Sequence, residues 1–166
     1  MAEELKEPVE GRPDIAVERL KEQFPDVEFG VSVFRGLTTV VVPKEKLLEV
    51  MQFLRDDPAC RFNMLMDIAG IDWSAKEREP RFEVVYNLNS LDRRVRLRVK
   101  VGVEHSNPKL PSVVGIWQAA NWHERECYDM FGIEFEGHPD LRRIFMPEDY
   151  KWFPLRKEFP LRGYEE

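Results

Sequence analysis

Cysteine is scarce: Cys60 and Cys127 are the only two in 166 residues, with no CxxC between them. That excludes a disulfide framework, a zinc ribbon and a conventional Cys-ligated iron–sulfur cluster in this chain. The expectation is two buried, reduced thiols. Long apolar runs are missing too; none approaches the ~20 residues that span a bilayer. The opening MAEELKEPVEGRPD is acidic and polar, unlike a signal or transit peptide. Work at a membrane then requires another molecule to hold the chain there. Positive charge is not in surplus: 25 Lys and Arg stand against 31 Asp and Glu, a net charge of −6. That sets aside non-specific nucleic-acid binding, which wants a basic field. The nine glycines form neither GxGxxG nor a Walker A loop. Ser74, Ser90, Ser106 and Ser112 sit in no nucleophile elbow.

What is present is a globular composition, 43% hydrophobic and 34% charged, long enough for one domain with a core. Residues 1–12 read as a flexible leader. Pro13 and Asp14 open a helix carrying Ala16, Leu20 and Phe24 at helical spacing, ended by Pro25. In EFGVSVF, Phe29, Val31 and Val33 share a face; Arg35-Gly36 is a tight turn into the strand LTTVVV. A second helix after Pro43 stripes Leu47, Leu48, Met51 and Leu54, and stops at residues 56–58, DDP. Strands follow at 63–73 and through Phe82, Val84, Tyr86 and Leu88.

The cleanest period of two is RRVRLRVKV. Val95, Leu97, Val99 and Val101 face one way; Arg94, Arg96, Arg98 and Lys100 face the other. The basic side is either solvated or a docking face for an acidic partner. A third helix is expected from about residue 111 to about 130. The order helix, two strands, helix, three strands, helix predicts an α+β fold. It is a two-layer domain over residues 13–131, with helices on one face of a mainly antiparallel sheet. Residues 132–166 form an extended C-terminal arm.

That arm holds prolines at 139, 147, 154 and 160, so no useful helix fits. Yet Phe135, Leu141, Phe145, Trp152, Phe159 and Leu161 are too apolar for a disordered tail. Ordering some 30 residues costs roughly 1–2 kcal/mol each in backbone entropy. Burial against a surface outside the arm must offset that cost, either the chain's own domain or another chain. We read it as a partner-binding arm.

Chemistry-bearing side chains crowd into HERECYDMFGIEFEGHPDLRRIF, residues 123–145. His123 and Cys127 share a helix face, as do Glu126 and Asp129. But HxxxC alone makes no zinc site, and paired carboxylates need a pocket before they hydrolyse anything. The plainer reading makes Glu124, Arg125 and Glu126 helix-surface charges. Asp129 accepts hydrogen bonds near the helix end, Gly132 is a left-handed cap, and Arg142-Arg143 grip carboxylates or carbonyls.

The run E-R-E-x-x-D-M-F-G-I-x-F followed by G-H-P-x-L-R-R-I, from Glu124 to Ile144, closely resembles the signature of the 30 kDa subunit of respiratory complex I. PLRKEFPLRGY, residues 154–164, resembles that family's ending. Trp152 stands where the family has Gly, and Glu158 where it has Asp. The resemblance implies a subunit of the peripheral arm of a proton-pumping NADH-quinone oxidoreductase, on the cytoplasmic side of the membrane. It implies no catalytic residue and no cofactor in this chain, with FMN and iron–sulfur clusters in partner subunits. The implied partners are the hydrogenase-like large subunit beside the quinone cavity and other peripheral-arm subunits. The related alternative is the equivalent subunit of a membrane-bound hydrogenase or other-donor dehydrogenase; the remote one is a stand-alone metal or carboxylate hydrolase. The assembly residues are Glu124, Arg125, Glu126, Asp129, His138, Arg142, Arg143, Trp152, Arg156 and Lys157.

Overall fold

The computed structural model describes residues 13–164; the leader 1–12 falls outside them. Helix α1 (Pro13–Gln23) leads into the hairpin β1 (Gly30–Phe34) and β2 (Leu37–Val41). Arg35 and Gly36 between them both have positive φ, 50° and 76°, the two-residue turn whose twist matches the flanking strands. A 3₁₀ turn after Pro43 runs into α2 (Leu47–Asp56). Its inward stripe is Leu47, Val50, Met51 and Leu54; Leu48, expected inside, is exposed one position off that face. The Asp57 carboxylate then accepts from the N–H groups of Ala59 and Cys60 and from Arg19, tying α1 to the end of α2.

Three long strands follow: β3 (Met64–Asp72), β4 (Phe82–Ser90) and β5 (Val95–Val103). The five-stranded sheet has the order β1-β2-β5-β4-β3. All pairs are antiparallel except β2 with β5, so the sheet is mixed. Phe82, Val84, Tyr86 and Leu88 of β4 and Leu97, Val99 and Val101 of β5 are sealed into the core beneath the helices. Val31 and Val33 point to that same side yet stay exposed, because β1 is the sheet's edge and lies beyond the helices. Both cysteines are buried and free. Among the described residues no helix is long and apolar enough to cross a membrane.

The third helix starts later than its pattern predicts. Residues 109–111 form a short strand, β6 (Lys109–Pro111), parallel to β7 (Glu134–Glu136), and α3 spans Ala120–Phe131. The Ser112 N–H donates to Glu136 O and the Val113 N–H to the Glu124 carboxylate. Trp117 Nε1 donates to Phe62 O at 3.1 Å, pinning the connection against the α2–β3 loop. The β6–β7 pairing holds 109–111 extended, so the helix begins only at Ala120. Helix α3 lies on the core side of β3, where Phe131 packs over Gly70 and Cys127 Sγ reaches Ile68 O.

Candidate partner-binding surface

Helix α3 divides the crowded stretch into an inside and an outside. Ala120, Glu124, Cys127 and Phe131 recur at i, i+4, i+7 and i+11 and face the sheet. Glu124 is therefore not a surface charge: it is fully buried. It accepts from Ser112 Oγ at 2.6 Å and from the Val113 N–H at 2.7 Å. Burial pushes its carboxyl up to about 7, against the pull of those two donors. His138 Nε2 lies 4.0 Å from the same carboxylate and donates to Asn121 O at 3.1 Å, while its Nδ1 accepts from the Asp140 N–H. Burial pushes the Cys127 thiol up to about 12, which removes it as a nucleophile near neutrality. Among the described residues no three His, Cys, Asp or Glu side chains converge as metal ligands would.

After β7 the arm holds no helix or strand among the described residues but a series of turns, and it lies along its own domain. Asp129 is the first anchor. One carboxylate oxygen takes Arg143 Nη1 at 2.8 Å; the other accepts the N–H groups of Ile144, Phe145 and Met146 at 3.1, 2.7 and 3.0 Å. Burial pushes the group up, but these four donors outweigh it and hold it below the usual carboxylate range. Arg143 also donates to Asp129 O and lies against the rings of Tyr150 and Phe153. Arg125 donates to the carbonyls of Arg142 and Arg143 and stacks on Trp122.

The second anchor is Asp72, at the end of β3. Arg81 holds it with two bonds, at 3.1 and 2.9 Å, and the Lys157 backbone N–H donates to it at 2.9 Å. Burial again pushes upward and is again outweighed, leaving the carboxyl well below its ordinary range. Arg81 continues to Glu158. Between the anchors, Arg156 Nε donates to Phe131 O at 2.7 Å, with its guanidinium over Phe153 and Phe82. Gly132, at φ 73°, caps α3; a Cβ there would meet Phe153 and Arg156 at 2.7 Å, so the arm passes directly over it.

Of the ten expected assembly residues, Arg125, Asp129, Arg143, Arg156 and the Lys157 backbone thus join strap to domain, and Glu124 and His138 sit inside. Glu126 is exposed. Arg142 points outward, bridging only to Asp140. Trp152 stacks on Tyr164 at 4.8 Å in a half-exposed aromatic group with Tyr150. Sequence reasoning passed over Asp72 and Arg81, and weighed Ser112 only as a nucleophile. The one signal was an acid, Asp72, closing an apolar strand. Once the polar groups are satisfied inward, the outer side keeps its greasy residues in water: Trp122 is 64% exposed, Phe145 61%, Leu155 51% and Leu161 wholly.

A family model described as respiratory-chain NADH dehydrogenase, 30 Kd subunit, matches residues 40–165. An NADH-quinone oxidoreductase subunit of Roseiflexus sp. (strain RS-1) is 53% identical over 150 residues, 90% of this chain and 84% of that one. The protein of the same name in Geobacter sulfurreducens is 44% identical over 148 residues, 89% of this chain and 90% of its own. Among solved structures, a trypsin-resistant fragment of Nqo5 superposes with a TM-score of 0.67 at 40% identity, covering 76% of this chain and 99% of the fragment. A chain of the membrane-bound sulfane sulfur reductase, an archaeal respiratory membrane complex, gives 0.74 at 25% identity, covering 89% and 85%.

Proposed function

Since the chain belongs to the 30 kDa subunit family of respiratory-chain NADH dehydrogenases, we propose that it is a structural subunit of a proton-pumping NADH-quinone oxidoreductase. It sits in the peripheral arm and supports electron transfer from NADH to quinone by the whole complex. The chain holds no cofactor; FMN and iron–sulfur clusters belong to its partners. It reaches the cytoplasmic side of the membrane only through them. The strap's outer face packs on the hydrogenase-like large subunit near the quinone cavity.

One observation carries this reading. Arg143, Arg156 and the backbone N–H groups of 144–146 and 157 are bonded to the strap's own domain, while Phe145, Leu155 and Leu161 are each left exposed. Large apolar side chains kept in water along one strap are what an interface core is made from. The test is Phe145→Asp with Leu155→Asp in the native cell. Both side chains face water, so the fold should stand while the chain drops out of the respiratory complex on a native gel. Full assembly of that variant would sink the reading. The likeness to a sulfane sulfur reductase chain supports a second reading, the equivalent subunit of a complex with another donor. Co-purified NADH-binding subunits decide between the two.

A further inference from the structure

Arg96, Arg98 and Lys100 project from β5 on the side away from the core, since their alternates Leu97, Val99 and Val101 are buried beneath the helices. Strand register sets these cations in rows across the sheet. Asn89 pairs with Arg96 on one side and Met64 on the other. Leu37, one residue before the Thr38–Leu97 pair, adjoins Arg96 from β2 and pairs with Phe34 on β1. One row therefore reads Phe34, Leu37, Arg96, Asn89, Met64.

The charges on this face are unevenly answered. Glu83 takes both Lys100, at 2.8 Å, and Arg78, at 3.2 Å. Arg98 meets only the side-chain oxygen of Asn87, at 3.1 Å, and Asn87 in turn donates to Asp67. Arg96 is exposed and takes part in none of these bonds among the described residues. At the two ends of its row, each two strands away, Phe34 is 70% exposed and Met64 is exposed, and Arg35 lies 5.2 Å from the Phe34 ring. An arginine without a carboxylate partner in a row that ends in exposed Phe and Met has the composition of an interface centre, not of a solvated strand face.

We infer that this open face of the sheet docks an acidic segment of a neighbouring subunit. Carboxylates of that segment pair with Arg96 and Arg98, and its apolar side chains cover Phe34 and Met64. The inference rests on the subunit reading, and it adds a second contact on the opposite side of the sheet from α3. The chain's net charge of −6 makes the basic patch a local exception that an acidic partner fits. A second copy of this chain meeting face to face would set arginine against arginine. Arg96 and Arg98, the two cations here without a carboxylate partner, fall short of the roughly four to eight that hold a protein on anionic lipid.

The experiment is done in the native cell. Phe34→p-benzoylphenylalanine keeps the aromatic ring and adds its benzoyl group at an exposed site, and illumination of the assembled complex should link position 34 to an Asp/Glu-rich peptide of another subunit. Arg96→Glu with Arg98→Glu should lower the co-purified complex about tenfold, while Arg96→Lys with Arg98→Lys retains it. Wild-type levels with the reversed charges overturn the inference alone, as does a cross-link to lipid, to a second copy or to a segment without acids. If the charge-reversed chain fails to accumulate, the cross-link decides by itself. A wild-type chain found in no complex overturns both this inference and the subunit reading.

Discussion

Glu124 and Asp129 stand five residues apart on one helix, and their carboxyls shift in opposite directions. Glu124 has no cation bonded to it, so the folded state keeps its proton to about pH 7, against an ordinary value of 4.5. The native state then binds a proton that the unfolded chain has lost, and stability falls as pH climbs from about 4.5 to about 7. Glu124→Gln should remove that slope and leave the variant roughly 3 kcal/mol more stable than wild type at pH 8. Urea unfolding at pH 5 and pH 8 checks it; an unchanged slope refutes the assignment. Asp129 is the reverse case. Its four donors favour the charged form, so its contribution is present above the ordinary carboxylate range and lost as pH falls through its lowered value. Asp129→Asn strands Arg143 in a buried site and should cost about 3 kcal/mol. Thermal melting reports the loss. Trypsin should also cut sooner at Arg142 and Arg143, as the strap lifts.

At the scale of elements, the tightest constraint is α3 on β3. A Cβ on Gly70 would lie 2.6 and 2.7 Å from two carbons of the Phe131 ring. Gly70→Ala should therefore cost roughly 1–3 kcal/mol, the usual range for overpacking. Phe131→Leu in the same chain should recover part of it, and a double-mutant cycle in urea measures the coupling. The β1–β2 hairpin, α2 and β5 could be read along the chain, because periods of two and 3.6 are local properties of consecutive residues. The start of α3 could not. Its expected first turn is held in place by Glu124 and Glu136, residues 11 and 24 positions further on.

At the scale of the whole molecule, the strap is a clasp on the inside and carries exposed apolar side chains on the outside. Ending the chain after Glu136 removes the groups that satisfy Asp129 and one donor to Asp72, while the sheet and three helices keep their own core. Such a chain should keep its far-ultraviolet spectrum, melt lower and fail to enter the complex on a native gel. Unchanged melting would show that the two anchors contribute nothing to the domain. The aromatic, proline-broken composition already pointed to burial against a surface outside the strap. Which surface took which atoms was not legible, since Asp72 and Lys157 are 85 residues apart.

By itself the sequence determined the order and kind of the elements from α1 to β5, the basic alternation of β5 and the family signature from Glu124 to Ile144, all carried by neighbours along the chain. Only the tertiary structure decided that Glu124 lies inside, that Asp72 and Asp129 clasp the strap, and that β2 pairs parallel to β5. The physical reason is that a carboxylate's role depends on the donors and the solvent around it. Those donors come from segments that meet only when the chain folds.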